Sequence, residues 1–464
     1  MPAGLLLARF EDGQPVLPED IEDALLAALP LQPLPPPSRL WDAHGGLDDL
    51  ARQRWGLVIP HGPEGDRLLS LVAPLRAARE AQQGAPAQLY RVPIGLDEMS
   101  ASIWKKRIFH HDDLPEEERA RYLLILGDLD LVSLELQQAL ATDAYVGRLA
   151  FASDEGYTRY VDKVLRWERI RSPEARTRLL FYTAKDGSSA TTLGHRELVK
   201  PCLDAFETRR HTSALRGVEA RELDYDPRTP ERALLEAARD PIPAVLLSVS
   251  HGASLPTGEA HASARRSAQG ALVLSEHRRL EDADVATGPF LPGGMWFCFA
   301  CFSAGTPRRG LYTPFLKNMG AAYERTLSQQ EARGEERPFI AALPQAALAN
   351  PEGPLAVMGH VDLAWSCGFL DNGQRTSSRF WRVLRAISRG HRAGNALRAL
   401  LDVFNETNME LTSRHAGDAL RGGTRASMDL AAQAYLWLQR QDLMAYVLLG
   451  DPAVRLPHPP SPET

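Results

Sequence analysis

The stretch GMWFCFACFSAG, residues 294–305, decides how the rest of the chain is read. It is a short, almost unbroken apolar run that ends in the small residues Ser303, Ala304 and Gly305. A run of this length, rich in aromatic side chains, predicts a strand over 294–300 buried inside a sheet. It carries two cysteines, Cys298 and Cys301. Alternate residues of a strand face opposite sides, so position within the run separates them. Cys298 sits mid-strand between Phe297 and Phe299 and belongs to the packing, whereas Cys301 lies where the chain leaves the sheet. A reactive thiol needs partial access and help in ionising, because a free cysteine titrates near pH ~8.5. Cys301 is therefore the candidate nucleophile.

The candidate base lies fifty residues upstream, where PAVLLSVS (243–250), another buried-strand run, leads directly into His251-Gly252. If the two strands are parallel neighbours, about 4.8 Å apart, His251 and Cys301 emerge on one sheet edge. That edge is where open α/β sheets bind ligands. An imidazole placed there can assist formation of the thiolate. Glycine at 252 lets the backbone come close, and the amides of Gly252 and Cys301 are the expected donors to an oxyanion. Ser303, Ala304 and Gly305 leave room beyond the nucleophile for a substrate backbone.

Strand-like and helix-like segments alternate outward from this centre. GLVIP (56–60), AQLYRVPI (87–94), RYLLILGD (121–128) and AYVGRLAF (144–151) read as strands, with helices at 65–83, 130–141 and 154–170. The pattern restarts with TRLLFYTA (177–184) and a helix over 195–210 interrupted by Pro201. Further helices are expected over 312–332, near 379–409 and over 426–442, and strands at GPLAVMGHV (353–361) and YVLLGDPAVRLP (446–457). Such alternation predicts an α/β fold of two adjacent, mostly parallel sheets flanked by helices. The division reads as a proline-rich lead-in over 1–50, a first lobe over 51–172 and a larger, site-bearing lobe over 173–464.

Composition narrows the function classes. The 464 residues are 44% hydrophobic and 24% charged, as in ordinary globular proteins. A net charge of −6 argues against nucleic acid as a partner. Four cysteines, Cys202, Cys298, Cys301 and Cys367, make no disulfide framework. The N-terminus lacks the pattern of a secretion signal, and no apolar run approaches the ~18 residues of a membrane span. The expected protein is soluble and cytoplasmic, with no membrane partner and no cofactor. FHHDD (109–113) is expected to be a solvated loop rather than a metal site, and His61-Gly62 a turn. KDGSSATTLGH (185–195) lacks the spacing of a phosphate loop.

His-Gly after one strand and Ala-Cys after the next resembles the caspase-like (clan CD) cysteine peptidases. YLLILGD…YVGRLAF…YVDKVLRWE (122–168), AVMGHVDLAW (356–365) and YVLLGDPAVRL extend the resemblance over about 50–457, nearest to bacterial gingipain-type and CHAT-type domains. The resemblance implies a caspase-hemoglobinase fold and a His251–Cys301 dyad acting on a protein substrate. It also implies a substrate pocket lined by Asp362 and Trp365, which suits Arg or Lys. Phe302 stands where caspases commonly carry glycine or arginine, which argues against aspartate specificity. The resemblance further implies that the apolar segment 269–277 supplies backbone that pairs with substrate. Cleavage after Arg or Lys would make the chain's own ASARRSAQG (262–270), SEHRRLED (275–282) and TPRRG (306–310) processing sites. Relatives of this kind imply a regulated defence or cell-death protease, such as antiviral effectors, with an activating or inhibitory protein partner. The alternative is a catalytically silent scaffold or sensor that binds partners through the lead-in and first lobe.

Overall fold

The structure, a computed structural model, describes residues 7–16, 46–111, 113–170, 176–212, 215–255, 262–316, 337–371, 373–420 and 427–457. Its frame is a ten-stranded sheet. Across the sheet the strands run Gln88–Val92, Trp55–Pro60, Tyr122–Leu126, Tyr145–Leu149, Tyr446–Leu449, Ala356–His360, Met295–Phe299, Ala244–Val249, Thr177–Thr183 and Val218–Glu222. All neighbouring pairs are parallel except Ala356–His360 with Tyr446–Leu449.

That exception corrects the expectation of two sheets. The strand Tyr446–Leu449 crosses over, pairs in parallel with Tyr145–Leu149 of the first half and closes the two halves into one sheet. Its short apolar run carries no mark of which strand it will join, so local pattern could not reveal the fusion. The large mixed sheet flanked by helices is otherwise the α/β arrangement the alternation predicts.

Both faces of the sheet are covered, as the near-continuous apolar strands require. In Tyr122–Leu126, Leu124 and Leu126 join one apolar cluster, with Leu68, Leu75 and Val161 of three helices. Leu123 and Ile125 join another, with Ala101, Trp104 and Leu136. Pro201 does not end the helix: Ser189–Gly194 runs on through a π-turn over His195–Val199 into Lys200–Arg209, and the wider turn just before the proline accommodates its missing N–H. The helix expected over 379–409 is two, Ser378–Ser388 and Ala393–Leu420. Most of the helix expected over 312–332 lies outside the described residues.

A second, four-stranded sheet stands beside the frame in the order Leu7–Arg9, His251–Ser254, Leu272–Ser275, Arg278–Leu280. The start of the lead-in thus contributes a strand. Leu7–Arg9 pairs in parallel with Gly252–Ser254. Among the described residues, no helix is long and apolar enough to cross a membrane, and no group of three or more His, Cys, Asp or Glu could hold a metal ion.

Candidate active site

The strands Ala244–Val249 and Met295–Phe299 are parallel neighbours, with Cys298 opposite Ser248 and Phe299 opposite Val249. The Ser250 amide still donates to the Phe299 carbonyl at 3.2 Å. Two residues further along each chain, the same register levels His251 with Cys301. There the chains part. His251–Ser254 turns into the small sheet, where Leu272–Ser275 pairs antiparallel with it and Leu7–Arg9 flanks its other side. Gly252 lies with its Cα against the Cys301 peptide. The chain after Cys301 bends through Phe302 at φ 56°, a left-handed conformation rare for a bulky residue. The Phe302 amide donates to the Asp362 carbonyl at 2.9 Å, which anchors this turn to the following loop.

The two cysteines occupy different environments. The Cys298 thiol is pushed up to about 12 by burial, and the Ser248 hydroxyl donates to its sulfur at 3.7 Å. Cys301 Sγ accepts from the Ala364 amide at 3.2 Å and faces the carbonyl of the same residue at 3.8 Å. Burial likewise pushes Cys202 up to about 12 and Cys367 well above the usual thiol range.

His251 acquires partners that the sequence reading passed over. Its Nε2 meets Ser188 Oγ at 2.9 Å and Asp186 Oδ2 at 3.5 Å. The other carboxylate oxygen, Asp186 Oδ1, accepts from the Ser188 amide at 3.0 Å and from the Thr191 hydroxyl at 2.6 Å. Ser188 caps the helix Ser189–Gly194. The Gly/Ser-rich loop, which lacks phosphate-loop spacing, is thus a fixed turn that presents an acid and a hydroxyl to the imidazole. The signal available in sequence was an acid just past the end of a buried strand, Thr177–Thr183, that neighbours the His251 strand.

Asp362 and Trp365 lie in the loop that holds Cys301, and both are fully buried. Asp362 Oδ2 accepts from the Leu311 amide at 2.7 Å and Oδ1 from the Leu363 amide at 2.8 Å. The Trp365 ring meets Tyr312 edge-on at 5.7 Å between centroids. The segment around Leu311–Tyr312 thus covers the place where a pocket was expected. His251 and Cys301 are fully buried as well. His360 does not join them: its Nδ1 sits on the Asp362 backbone, and its Nε2 lies 3.3 Å from Asp442 Oδ1.

The remaining candidates sort by burial. His110 of FHHDD is not a solvated loop residue, because its Nε2 contacts the Asp143 carboxylate at 2.7 Å and Lys105 pairs with the same acid. His61 is exposed on a bend. Of the three dibasic segments, 262–270 contains the helix Ala262–Ala268 with Arg265 buried, and Arg278–Arg279 lies within a strand. Arg308 and Arg309 are exposed and lie outside regular structure.

In comparison with known proteins, no family model and no curated sequence matches the chain. A solved structure described as "Structure of Protease" is 14% identical, with 89% of this chain and 80% of that chain covered and a TM-score of 0.51. The complex of Porphyromonas gingivalis RgpB pro- and mature domains is 12% identical over 87% and 79%, with a TM-score of 0.48. The Arg-specific cysteine proteinase gingipain R is 13% identical over 88% and 78%, with a TM-score of 0.46. At such identities the first of these likenesses is one of fold: the chain shares the coarse mixed-sheet architecture of a protease.

Proposed function

We propose that the chain is a cysteine endopeptidase in which Cys301 is the nucleophile and His251 its base. The observation that carries this reading is the register between Ala244–Val249 and Met295–Phe299, which brings His251 level with Cys301. With Nε2 directed at Ser188 and Asp186, Nδ1 is the nitrogen that serves the thiol. The thiol proton passes to His251 as Sγ attacks the scissile carbonyl. The amides of Gly252 and Cys301 hold the resulting oxyanion. Collapse breaks the C–N bond, His251 returns the proton to the leaving amine, and a thioester remains. Water, deprotonated by His251, then attacks the thioester, and the thiol leaves with that proton. Asp186 steadies the imidazolium through its charge.

A basic side chain before the cleaved bond fits this site. Asp362, fully buried, accepts the Leu311 and Leu363 amides. Asp186, whose side chain keeps 12% exposure beside His251, is the acid placed to meet an Arg or Lys. Full burial of Cys301 and His251 favours a latent enzyme, released by a partner or by cleavage at Arg308–Arg309. The same burial is what favours the second reading, a partner-binding scaffold without activity. A bacterial defence setting rests on the resemblance alone.

A peptidyl-Arg fluorogenic substrate and an Arg-acyloxymethylketone probe separate the two. Turnover with probe mass on Cys301, absent in Cys301→Ala, is the expected result. Intact mass should show cleavage after Arg308 or Arg309 in the active chain alone. Folded protein that stays silent and unlabelled after treatment with an exogenous trypsin-like protease would leave the scaffold.

A further inference from the structure

Among the described residues, seven large apolar side chains are exposed, and five of them fall between residues 89 and 108: Leu89, Ile94, Met99, Ile103 and Ile108. Monomeric proteins scatter such residues singly, and a cluster marks a contact surface. Here they belong to the outermost strand of the large sheet, Gln88–Val92, and to the turn and helix that follow it. The helix runs Glu98–Trp104 and continues as a π-turn over Lys105–Phe109. Ala101, Trp104 and Phe109 pack inward. Met99 and Ile103, at 69% and 43% exposure, stand one turn apart on the opposite side.

The charges along this element are ordered. Asp97 and Glu98 lie at its start, and the exposed Lys106 and Arg107 near its end. Arg309 lies within electrostatic reach of Asp97 and Arg440 within that of Glu98, and both acids remain exposed at the start of the element. An apolar centre between an acidic start and a basic finish is complementary to itself when a second such element runs antiparallel. That is the requirement of an isologous contact, in which the same patch serves both partners.

We propose that residues 97–108 form the two-fold interface of a homodimer. Met99 and Ile103 meet their copies at the centre, and Glu98 of each chain faces Lys106 and Arg107 of the other. Leu89 and Ile94 extend the contact toward the area a specific interface requires, about 1,000 Å² or more in total.

Sedimentation equilibrium of the full chain from low to high micromolar concentration tests this. The expected mass is twice that of the chain. Met99→Glu with Ile103→Glu should yield monomer at every concentration, with the far-ultraviolet circular dichroism of the unmodified chain and a thermal midpoint that no longer rises with concentration. Glu98→Arg alone and Arg107→Glu alone should each weaken the dimer about tenfold, and the two combined should restore it to within about threefold of the unmodified chain. Rescue by the combined reversal distinguishes self-pairing from attachment to anything else. Monomer throughout the range, or a dimer indifferent to these changes, overturns the proposal. So does a monomer that pellets with phosphatidylserine vesicles and loses that binding on reversal of Lys106 and Arg107, since the face would then belong to an anionic membrane.

Discussion

Gly252 and Cys301 meet backbone to backbone: a β-carbon on residue 252 would lie 1.8 Å from the Cys301 carbonyl oxygen and 3.1 Å from its amide nitrogen. No side-chain rotation relieves an overlap with a peptide group, so the smallest substitution must push the base strand away from the nucleophile turn. Gly252→Ala should lower kcat/KM by about 100-fold or more, the cost of an ångström of misplacement at a reacting centre. Near-normal turnover on a peptidyl-Arg substrate would show that this contact does not set the geometry.

Removing a nucleophile and removing a packing thiol have different signatures. Cys301→Ser should reduce turnover on the order of 1,000-fold or more. Cys298→Ala should leave turnover within about tenfold and lower the thermal midpoint, because it empties part of a filled core. With its thiol pushed up to about 12, Cys298 should take no alkylating probe at neutral pH. Peptide mapping that found the adduct on Cys298 would reverse the assignment.

Asp186 is assigned two tasks, steadying His251 and meeting a basic substrate side chain, and one substitution reads both. Asp186→Asn keeps the shape and removes the charge. Turnover of a peptidyl-Arg substrate should fall about 100-fold, while that of a substrate with a neutral residue before the bond should fall only about tenfold. Equal losses on both would confine Asp186 to the imidazole.

The strand Leu7–Arg9 borders Gly252–Ser254, with Ala8 buried against Ala253 and Val273. A chain without residues 1–16 frees one side of the strand that carries the base. We expect kcat to drop about tenfold, with the thermal midpoint lowered by only a few degrees because the large sheet is untouched. Unaltered kcat would make the strand dispensable to catalysis.

Acid sensitivity should centre on a buried ion triad. Arg79 lies 2.6 Å from Glu168 and 2.7 Å from Asp451, with Arg79 and Asp451 fully buried. Burial pushes the Glu168 carboxyl up, but the Arg79 guanidinium reverses this and holds it below the usual carboxylate range. A carboxyl lowered in the folded state stabilises above its unfolded value, near ~4.3, and that contribution is lost as the pH falls through the folded value. Glu168→Gln should therefore destabilise at pH 7 and flatten the loss of stability on acidification. Arg79→Ala, which removes the charge partner of the buried Asp451, should cost about 3–5 kcal/mol in denaturant titrations at neutral pH. A pH-independent difference between Glu168→Gln and the unmodified chain would refute the linkage.

What sequence pattern could reveal followed burial. The strands holding His251 and Cys301 were legible because strands covered on both faces leave continuous apolar runs. Strand position set Cys298 inside the strand and Cys301 beyond its end, although both are buried. Val218–Glu222 was missed because VEARE has no apolar stripe, and its pairing with Thr177–Thr183 at the sheet edge makes it a strand. Asp362 shows where pattern stops informing. An acid that binds an arginine and an acid that accepts backbone amides look alike in sequence, and its Leu311 partner lies 51 positions away. Asp186 was hidden by its neighbours, since Gly187, Ser188 and Ser189 suggest slack where Ser188 caps a helix.

The crossing of Tyr446–Leu449 into the middle of the sheet also orders events in time. Of the ten strands this is the last synthesised, yet it occupies the seam between Tyr145–Leu149 and Ala356–His360. Until it emerges from the ribosome, both strands present bare edges, and such edges recruit other chains. The second half, with His251 and Cys301 already in place, must wait beside the first without being joined to it. A chain assembled in this order cannot close its frame until residues 446–449 have been made, so the two halves stay unjoined through the synthesis of the nine other strands.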